Sequence, residues 1–308
     1  MQQKLTTIAI TSFNRLKYLK TLIKSLQGLP RDDYDIIVID NCSTEEGLQD
    51  YVSFLESARV VNKSVVRAPV ERNWINDEYI AKNIAIEYAK TDTILFLQDD
   101  LQFIGNHEIL KQTIRDFRAM PFTCLEMNGV RRVSLMSKFR SGRCFQVGSH
   151  HKYWISDDNH FHTMGLFKTA VFDRLGEYPV NWPLTKEYWG RSEDHYDGLV
   201  KANFPNVQLN ASCHVPLFLP VWNDSRGGYA FIRGDRRYGE YESAVDKNGL
   251  YYAQLSNEQF ISHMNQGFAR SFPDVAVPLG WDFAKTESGD QMKYSQNKIV
   301  ETEPGTNF

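Results

Sequence analysis

Two adjacent carboxylates, Asp99 and Asp100, close the run Asp92-Thr-Ile-Leu-Phe-Leu-Gln-Asp-Asp-Leu101. Residues 94–97 are Ile, Leu, Phe and Leu without alternation, the pattern of a central strand buried on both faces. Carboxylates at the end of such a strand are costly to bury unless they are paired or hold a cation. In an open α/β sheet that edge is where ligands bind. The pair therefore suits a hard divalent cation that holds a phosphate. Asp40 closes a second apolar run, Tyr-Asp-Ile-Ile-Val-Ile-Asp, at the matching position, so both acidic groups are expected at one crevice. It can accept a hydrogen bond from a base or a ribose hydroxyl, or cap the following turn.

Ser12-Phe13-Asn14-Arg15 lies between a first apolar run and a first amphipathic segment. A polar turn at a helix N-terminus can receive a nucleotide or phosphate, and Ser12 or Asn14 can equally serve as an N-cap. Neither GxGxxG nor GxxxxGK[ST] occurs, so a dinucleotide cofactor and a P-loop are unsupported. Further along, Glu193-Asp194 beside Trp189 is the strongest acid/base pair. One of its carboxylates could face an acceptor hydroxyl, or the pair could complement a helix dipole. His160 and His162 alternate, and with Asp157 and Asp158 nearby they offer metal-ligand types without a closed set. Lining an acceptor or diphosphate pocket is the reading preferred for them. Arg226-Gly-Gly-Tyr and Arg233-Gly-Asp-Arg-Arg-Tyr-Gly combine phosphate-binding forks with glycines. They read as a lid over a diphosphate or as a solvated basic loop. Trp182, Trp189 and Trp222 could stack on sugar faces or pack in the interior.

The elements that must position these groups alternate. Strands are expected over 5–11, 34–40, 63–67 and 93–98, and helices over 15–27, 45–57, 76–90 and 107–119. Strands separated by helices imply parallel pairing and three layers. Residues 121–170 suit short antiparallel strands and site loops. Helices are expected over 169–175 and 193–202, a strand over 206–212 and a long functional loop over 221–241. From about residue 283 the hydrophobic periodicity is lost.

The composition is that of a globular protein, with a net charge of −3 that gives no support for nucleic-acid binding. The length of 308 residues allows one large domain or two modest ones. The four cysteines (Cys42, Cys124, Cys144 and Cys213) form no CxxC pair and no zinc spacing. Free thiols in a reducing cytosol are the simplest expectation. The N-terminus lacks the apolar stretch of a signal peptide, and no run approaches a membrane span. A soluble, cytoplasmic protein is expected, with peripheral membrane contact left open and the oligomeric state unspecified.

Over residues 5–215 the chain resembles the GT-A-fold glycosyltransferases, most closely those of family 2. Thr11-Ser12-Phe13-Asn14-Arg15 resembles that family's first-strand turn, and Val38-Ile39-Asp40-Asn41-Cys42-Ser43-Thr44 its base-binding strand end. Arg72-Asn73 and Lys82-Asn83 fall at its asparagine-containing motifs, and Phe96-Leu97-Gln98-Asp99-Asp100 at its DxD position. Met164-Gly165-Leu166-Phe167-Lys168 through Leu175-Gly176-Glu177-Tyr178 resembles its next glycine-containing segment. Glu193-Asp194 after Tyr188-Trp189-Gly190 resembles its Glu-Asp pair. The order and spacing of all six are specific. Two positions depart from the pattern. Gln98 stands where the first acid of DxD is expected, and Asn73 is followed by Trp74-Ile75 instead of glycine.

The resemblance implies an α/β GT-A domain over 1–282. In it a mostly parallel, Rossmann-like sheet carries flanking helices and a smaller antiparallel acceptor-side part. Residues 1–104 would bind the nucleotide sugar, 121–220 the acceptor and the catalytic groups, and 221–241 would form the lid, followed by a tail over 283–308. The implied activity is inverting, metal-dependent transfer of a sugar from a nucleoside-diphosphate donor to a hydroxyl of a glycan or other acceptor. Asp100 and His214 would hold Mn²⁺ or Mg²⁺. Asp194 would be the base, with Glu193 beside it. Thr11, Phe13, Asn14, Arg15, Asp40, Asn73, Asn83, Asp99, Arg226 and Arg233 would contact the donor. Two alternatives are a sugar-1-phosphate nucleotidyltransferase and a degenerate GT-A domain that binds glycans or a partner. The first usually carries a glycine-rich basic loop where Ser12–Arg15 stands. Gln98 is the feature favouring the second.

Overall fold

The computed structural model describes residues 4–13, 15–40, 53, 61–64, 74–127, 143–147, 151–155, 164–178, 198–203, 210–213, 215, 217–221, 223–224, 227–228, 249–250 and 252–266. The apolar runs become strands β1 (Thr6–Ser12), β2 (Tyr34–Asp40), β3 (Val61–Ser64) and β4 (Thr93–Gln98). The expected bounds of β2 and β4 match, and β3 begins two residues before the expected start. Helices α1 (Leu16–Ser25), α2 (Trp74–Tyr88) and α3 (His107–Ala119) fall within two residues of expectation. The expected helix over 45–57 lies outside the described residues, apart from Ser53, which is helical.

Strands β1, β2, β3 and β4 form a parallel set in the order β3-β2-β1-β4. The chain steps from β1 outward through β2 to β3, then returns to β4 on the other side of β1. The reversal opens a crevice between the carboxyl ends of β1 and β4. Beyond β4 the sheet continues as β9 (Gly165–Lys168), β6 (Cys124–Glu126), β10 (Asn210–Cys213), β8 (His151–Ile155) and β7 (Arg143–Val147). Only β9 and β8 run against the other seven strands of this sheet. The architecture is mixed α/β with a mostly parallel central sheet, and the two strands that run against the rest, β8 and β9, lie within 121–170, where antiparallel strands were expected.

Alternating side chains divide the core between the two faces, as strand geometry requires. Ile8, Ile10, Ile36, Val38, Leu95 and Leu97 pack with α1, α3 and α5 (Asn257–Gln266). Ala9, Ile37, Ile39, Ile94 and Phe96 pack with α2, α4 (Ala170–Leu175) and Val200. Helix α1 buries Leu16, Leu19, Leu22 and Ile23, and α3 buries Ile109, Leu110, Ile114 and Phe117. Asn106 caps α3 by accepting from the Ile109 amide at 3.1 Å, which satisfies one of the unpaired N–H groups of the first turn.

Gly165, at the start of β9, sits between β4 and β6 with φ +133°. A Cβ there would lie 2.6 Å from the Leu125 carbonyl oxygen. The close approach of the two backbones therefore requires glycine at this position.

Beyond β4 the chain turns at Asp99 and Asp100 into the short β5 (Leu101–Phe103), which pairs antiparallel with β11 (Phe218–Pro220). Neither element was expected from the sequence. Buried Gln102 makes two hydrogen bonds to the main chain of Tyr252, donating at 2.7 Å and accepting at 3.1 Å. The expected loop over 221–241 begins with a small hairpin of β12 (Asn223–Asp224) and β13 (Gly227–Gly228). The rest of it, and the tail over 283–308, lie outside the described residues.

Candidate active site

The carboxyl ends of β1, β2 and β4 bring Ser12, Asp40, Asp99 and Asp100 to one edge of the sheet. Ser12 is the register partner of Asp40, and the Asp99 amide donates to the Thr11 carbonyl at 3.1 Å. Asp99 is 3% exposed. Its Oδ2 accepts from the Ser12 hydroxyl at 2.9 Å and from the Phe13 amide at 3.2 Å. Its Oδ1 faces Arg15 Nη1 at 3.4 Å, and the same nitrogen donates to Asp100 Oδ2 at 3.1 Å.

One guanidinium thus bridges both carboxylates. It projects from Arg15, the residue that precedes α1. Ser12 and Asn14 were the two expected caps. The Ser12 hydroxyl goes to Asp99 instead, and Asn14 lies outside the described residues. Burial, then the neighbouring Asp100 charge, push the Asp99 carboxyl up to about 7, while Arg15, Ser12 and the Phe13 amide pull it down. The two members of the pair are therefore unequal. Asp99 is enclosed and three hydrogen bonds fix its oxygens. The Asp100 side chain is 20% exposed and reaches the crevice.

The turn is braced from its other side. The Val221 amide donates to the Asp100 carbonyl at 2.7 Å, which ties the start of the β12–β13 hairpin to the carboxylate turn. Asp40 is 6% exposed at the end of β2. Glu126 ends β6 at the same edge of the sheet, buried, and accepts from Ser212 on β10 at 3.1 Å. The sequence reading did not single out Glu126. A carboxylate inside the apolar run Cys-Leu-Glu-Met was its signal.

Other expected residues lie elsewhere. Asn83 on α2 is engaged with Tyr178, donating to its carbonyl at 2.9 Å and accepting from its amide at 2.8 Å. Lys82 places its buried ammonium over the rings of Tyr79 and Tyr178, at 5.4 and 5.6 Å, an attraction that offsets part of its desolvation. Lys168 pairs with Thr93 at the opposite edge of the sheet. Its ammonium donates to the Met120 carbonyl, and burial lowers its pKa. Asn73, Asp157, Asp158, His160, His162, Trp182, Trp189, Glu193, Asp194, His214, Trp222, Arg226 and Arg233 lie outside the described residues.

Among the described residues no group of three or more His, Cys, Asp or Glu side chains could enclose a metal ion. The donor set still suits a divalent cation of the kind completed by a ligand's phosphates. Such ions need one or two protein carboxylates, and the Asp100 oxygen already stands against a positive charge from Arg15. Cys124 and Cys213 are buried free thiols, as expected of unpaired cysteines. No helix of the described residues is long and apolar enough to cross a membrane.

The chain is similar to known proteins. Over 115 residues the chain is 26% identical to the poly(ribitol-phosphate) beta-N-acetylglucosaminyltransferase TarS of Staphylococcus aureus. That alignment takes in 37% of this chain and only 18% of the relative. The mannosyltransferase PcManGT from Pyrobaculum calidifontis, solved in complex with GDP-Man and Mn²⁺, superposes with a TM-score of 0.51 at 14% identity. The superposition covers 98% of this chain and 86% of that one, a likeness of fold. TarS 1–349 aligns with a TM-score of 0.46 at 13% identity, over 97% of this chain and 81% of that one. The signature of Glycosyl transferase family 2 matches residues 7–171, more than half of the chain. With the switch-point crevice and its carboxylate turn at the expected places in that span, the chain belongs to glycosyl transferase family 2.

Proposed function

We propose that this chain transfers a sugar from a nucleoside-diphosphate donor to a hydroxyl acceptor, with inversion and with a divalent cation. The observation that carries this reading is the convergence of Ser12, Phe13, Arg15, Asp40, Asp99 and Asp100 at the switch point between β1 and β4. Family membership supplies the reaction class, and the placement of these six residues supports the part of the reading that rests on them.

In this reading Asp40 receives the base or ribose of the donor, which Thr11, Phe13 and Asn14 also contact. Asp99 orders the Ser12–Phe13 turn against β4. Asp100 and His214 hold Mn²⁺ or Mg²⁺. A divalent cation held there would supply Lewis-acid stabilisation of the charge that develops on the leaving diphosphate. Asn73, Arg226 and Arg233 approach the diphosphate, and Asn83 acts through Tyr178 by holding that segment against α2. Asp194 accepts the proton of the acceptor hydroxyl as its oxygen attacks the anomeric carbon, with Glu193 beside it. The carbon–oxygen bond to the diphosphate breaks on the opposite face, so one displacement inverts the centre.

The fragmentary cover of the curated relative leaves donor and acceptor to experiment. A thermal-shift screen with UDP, GDP, dTDP and CMP sugars plus Mn²⁺ should give one stabilising donor class, because a ligand of the folded state raises its melting temperature. A donor-hydrolysis assay with the same panel should release the matching nucleotide. Binding without any turnover would favour a degenerate, binding-only domain. Formation of a nucleotide sugar from a sugar 1-phosphate and a nucleoside triphosphate would favour a nucleotidyltransferase.

A further inference from the structure

Arg15 occupies a place that a cation at this site would need. Two adjacent carboxylates, one of them buried, repel each other unless a positive charge stands close by. Arg15 provides it with a single nitrogen, 3.1 Å from Asp100 Oδ2 and 3.4 Å from Asp99 Oδ1. Magnesium coordinates carboxylate oxygen at about 2.0–2.1 Å. An ion on that oxygen and a guanidinium at hydrogen-bond distance would be like charges in contact. The two compete for that oxygen.

The geometry of the chain allows the exchange. Arg15 precedes α1 and its side chain is 31% exposed. Asp99 would be held through the exchange by Ser12 and the Phe13 amide, which bind its other oxygen. From this we infer that Arg15 is a built-in counter-ion occupying the cation position at Asp100, and that a divalent cation binds there only by displacing it. The inference rests on the proposed role of Asp100. It adds that the chain alone binds cation weakly, because the position is already filled.

The test is Mn²⁺ binding to the full chain without donor, followed through the electron paramagnetic resonance signal of the free ion. Arg15→Met, which keeps length and removes charge, should bind Mn²⁺ about tenfold more tightly than the wild type, equivalent to about 1.4 kcal/mol. Adding Asp100→Asn to that variant should abolish the gain. Equal or weaker binding by Arg15→Met, or no binding by either protein at millimolar Mn²⁺, would overturn the inference. Should Arg15→Met fail to fold, the wild type provides the answer by ¹⁵N NMR of its guanidinium groups. Saturating Mg²⁺ should shift the Arg15 resonances in the wild type and not in Asp100→Asn, and unshifted resonances in the wild type would refute the exchange. Sugar transfer that proceeds undiminished in chelator would sink this inference and the cation of the proposed function, while leaving sugar transfer itself intact.

Discussion

Ser12 and Asp99 stand 87 residues apart in the chain and 2.9 Å apart in space, the hydroxyl of one donating to the buried carboxylate of the other. The bond crosses the switch point, so it joins the turn after β1 to the turn after β4. It also removes Ser12 from the helix-capping role that its sequence position suggested. A hydrogen bond to a charged, buried partner contributes about 1.5–3 kcal/mol. Ser12→Ala should therefore lower unfolding free energy by ~2 kcal/mol at pH 8 in urea denaturation. A change below ~0.5 kcal/mol would show that the bond does not bear on stability.

The raised pKa of Asp99 makes stability depend on pH in a defined direction. Folding moves this carboxyl from near 3.8 up to about 7, so between those values the folded state holds a proton that the unfolded state has released. Its contribution is fully present below about pH 4, declines as pH rises toward 7, and is gone above that. The span is on the order of 4 kcal/mol at the limit. In the presence of chelator, the stability of the wild type relative to Asp99→Asn should fall from pH 5 to about pH 7 and level off above that. A difference that stays constant over that range would contradict the burial argument.

Gly165 carries a packing prediction. With φ at +133° and the Leu125 carbonyl oxygen 2.6 Å from any added Cβ, Gly165→Ala meets main chain on a neighbouring strand that cannot swing away. Destabilisation of about 2 kcal/mol or more is expected. Gly28 has no atom within 4 Å of a built Cβ, so Gly28→Ala should stay within about 0.5 kcal/mol. Equal melting temperatures for the two variants would remove the case for a required glycine.

Asp194→Asn tests the proposed base. General-base catalysis contributes roughly 10²- to 10⁴-fold, so turnover should fall by at least ~100-fold while donor affinity in the thermal-shift assay stays unchanged. Near-normal turnover would assign the proton transfer to another group, with Glu193 the next to replace.

Much of the scaffold was legible locally. The unbroken apolar runs ending at Asp40 and at Gln98 determined β2 and β4 and placed their terminal carboxylates at one edge, because a parallel sheet aligns its carboxyl ends. The leucine spacing of α1 was equally local. Other local signals were passed over, among them the Asn106 cap of α3 and the buried Glu126. Ser256-Asn-Glu-Gln259 forms a reciprocal capping box at the start of α5, with the Ser256 amide donating to Gln259 at 2.9 Å and the Gln259 amide to Ser256 at 3.2 Å.

The sequence by itself determined which residue types meet at the crevice: carboxylates at strand ends, a polar turn before α1, and the motif order of the family. The family resemblance already gave Asp99 and Asp100 different roles, and only the tertiary structure decided their unequal burial. Asp99 is a buried bolt and Asp100 the exposed member because Ser12, Phe13 and Arg15 reach across from another element, contacts 84 to 87 residues distant in the chain. The three-residue strands β5 and β11 escaped the sequence reading for the same reason. Segments that short have no periodicity of their own, and they exist through each other's hydrogen bonds and the clasp of Gln102 on Tyr252.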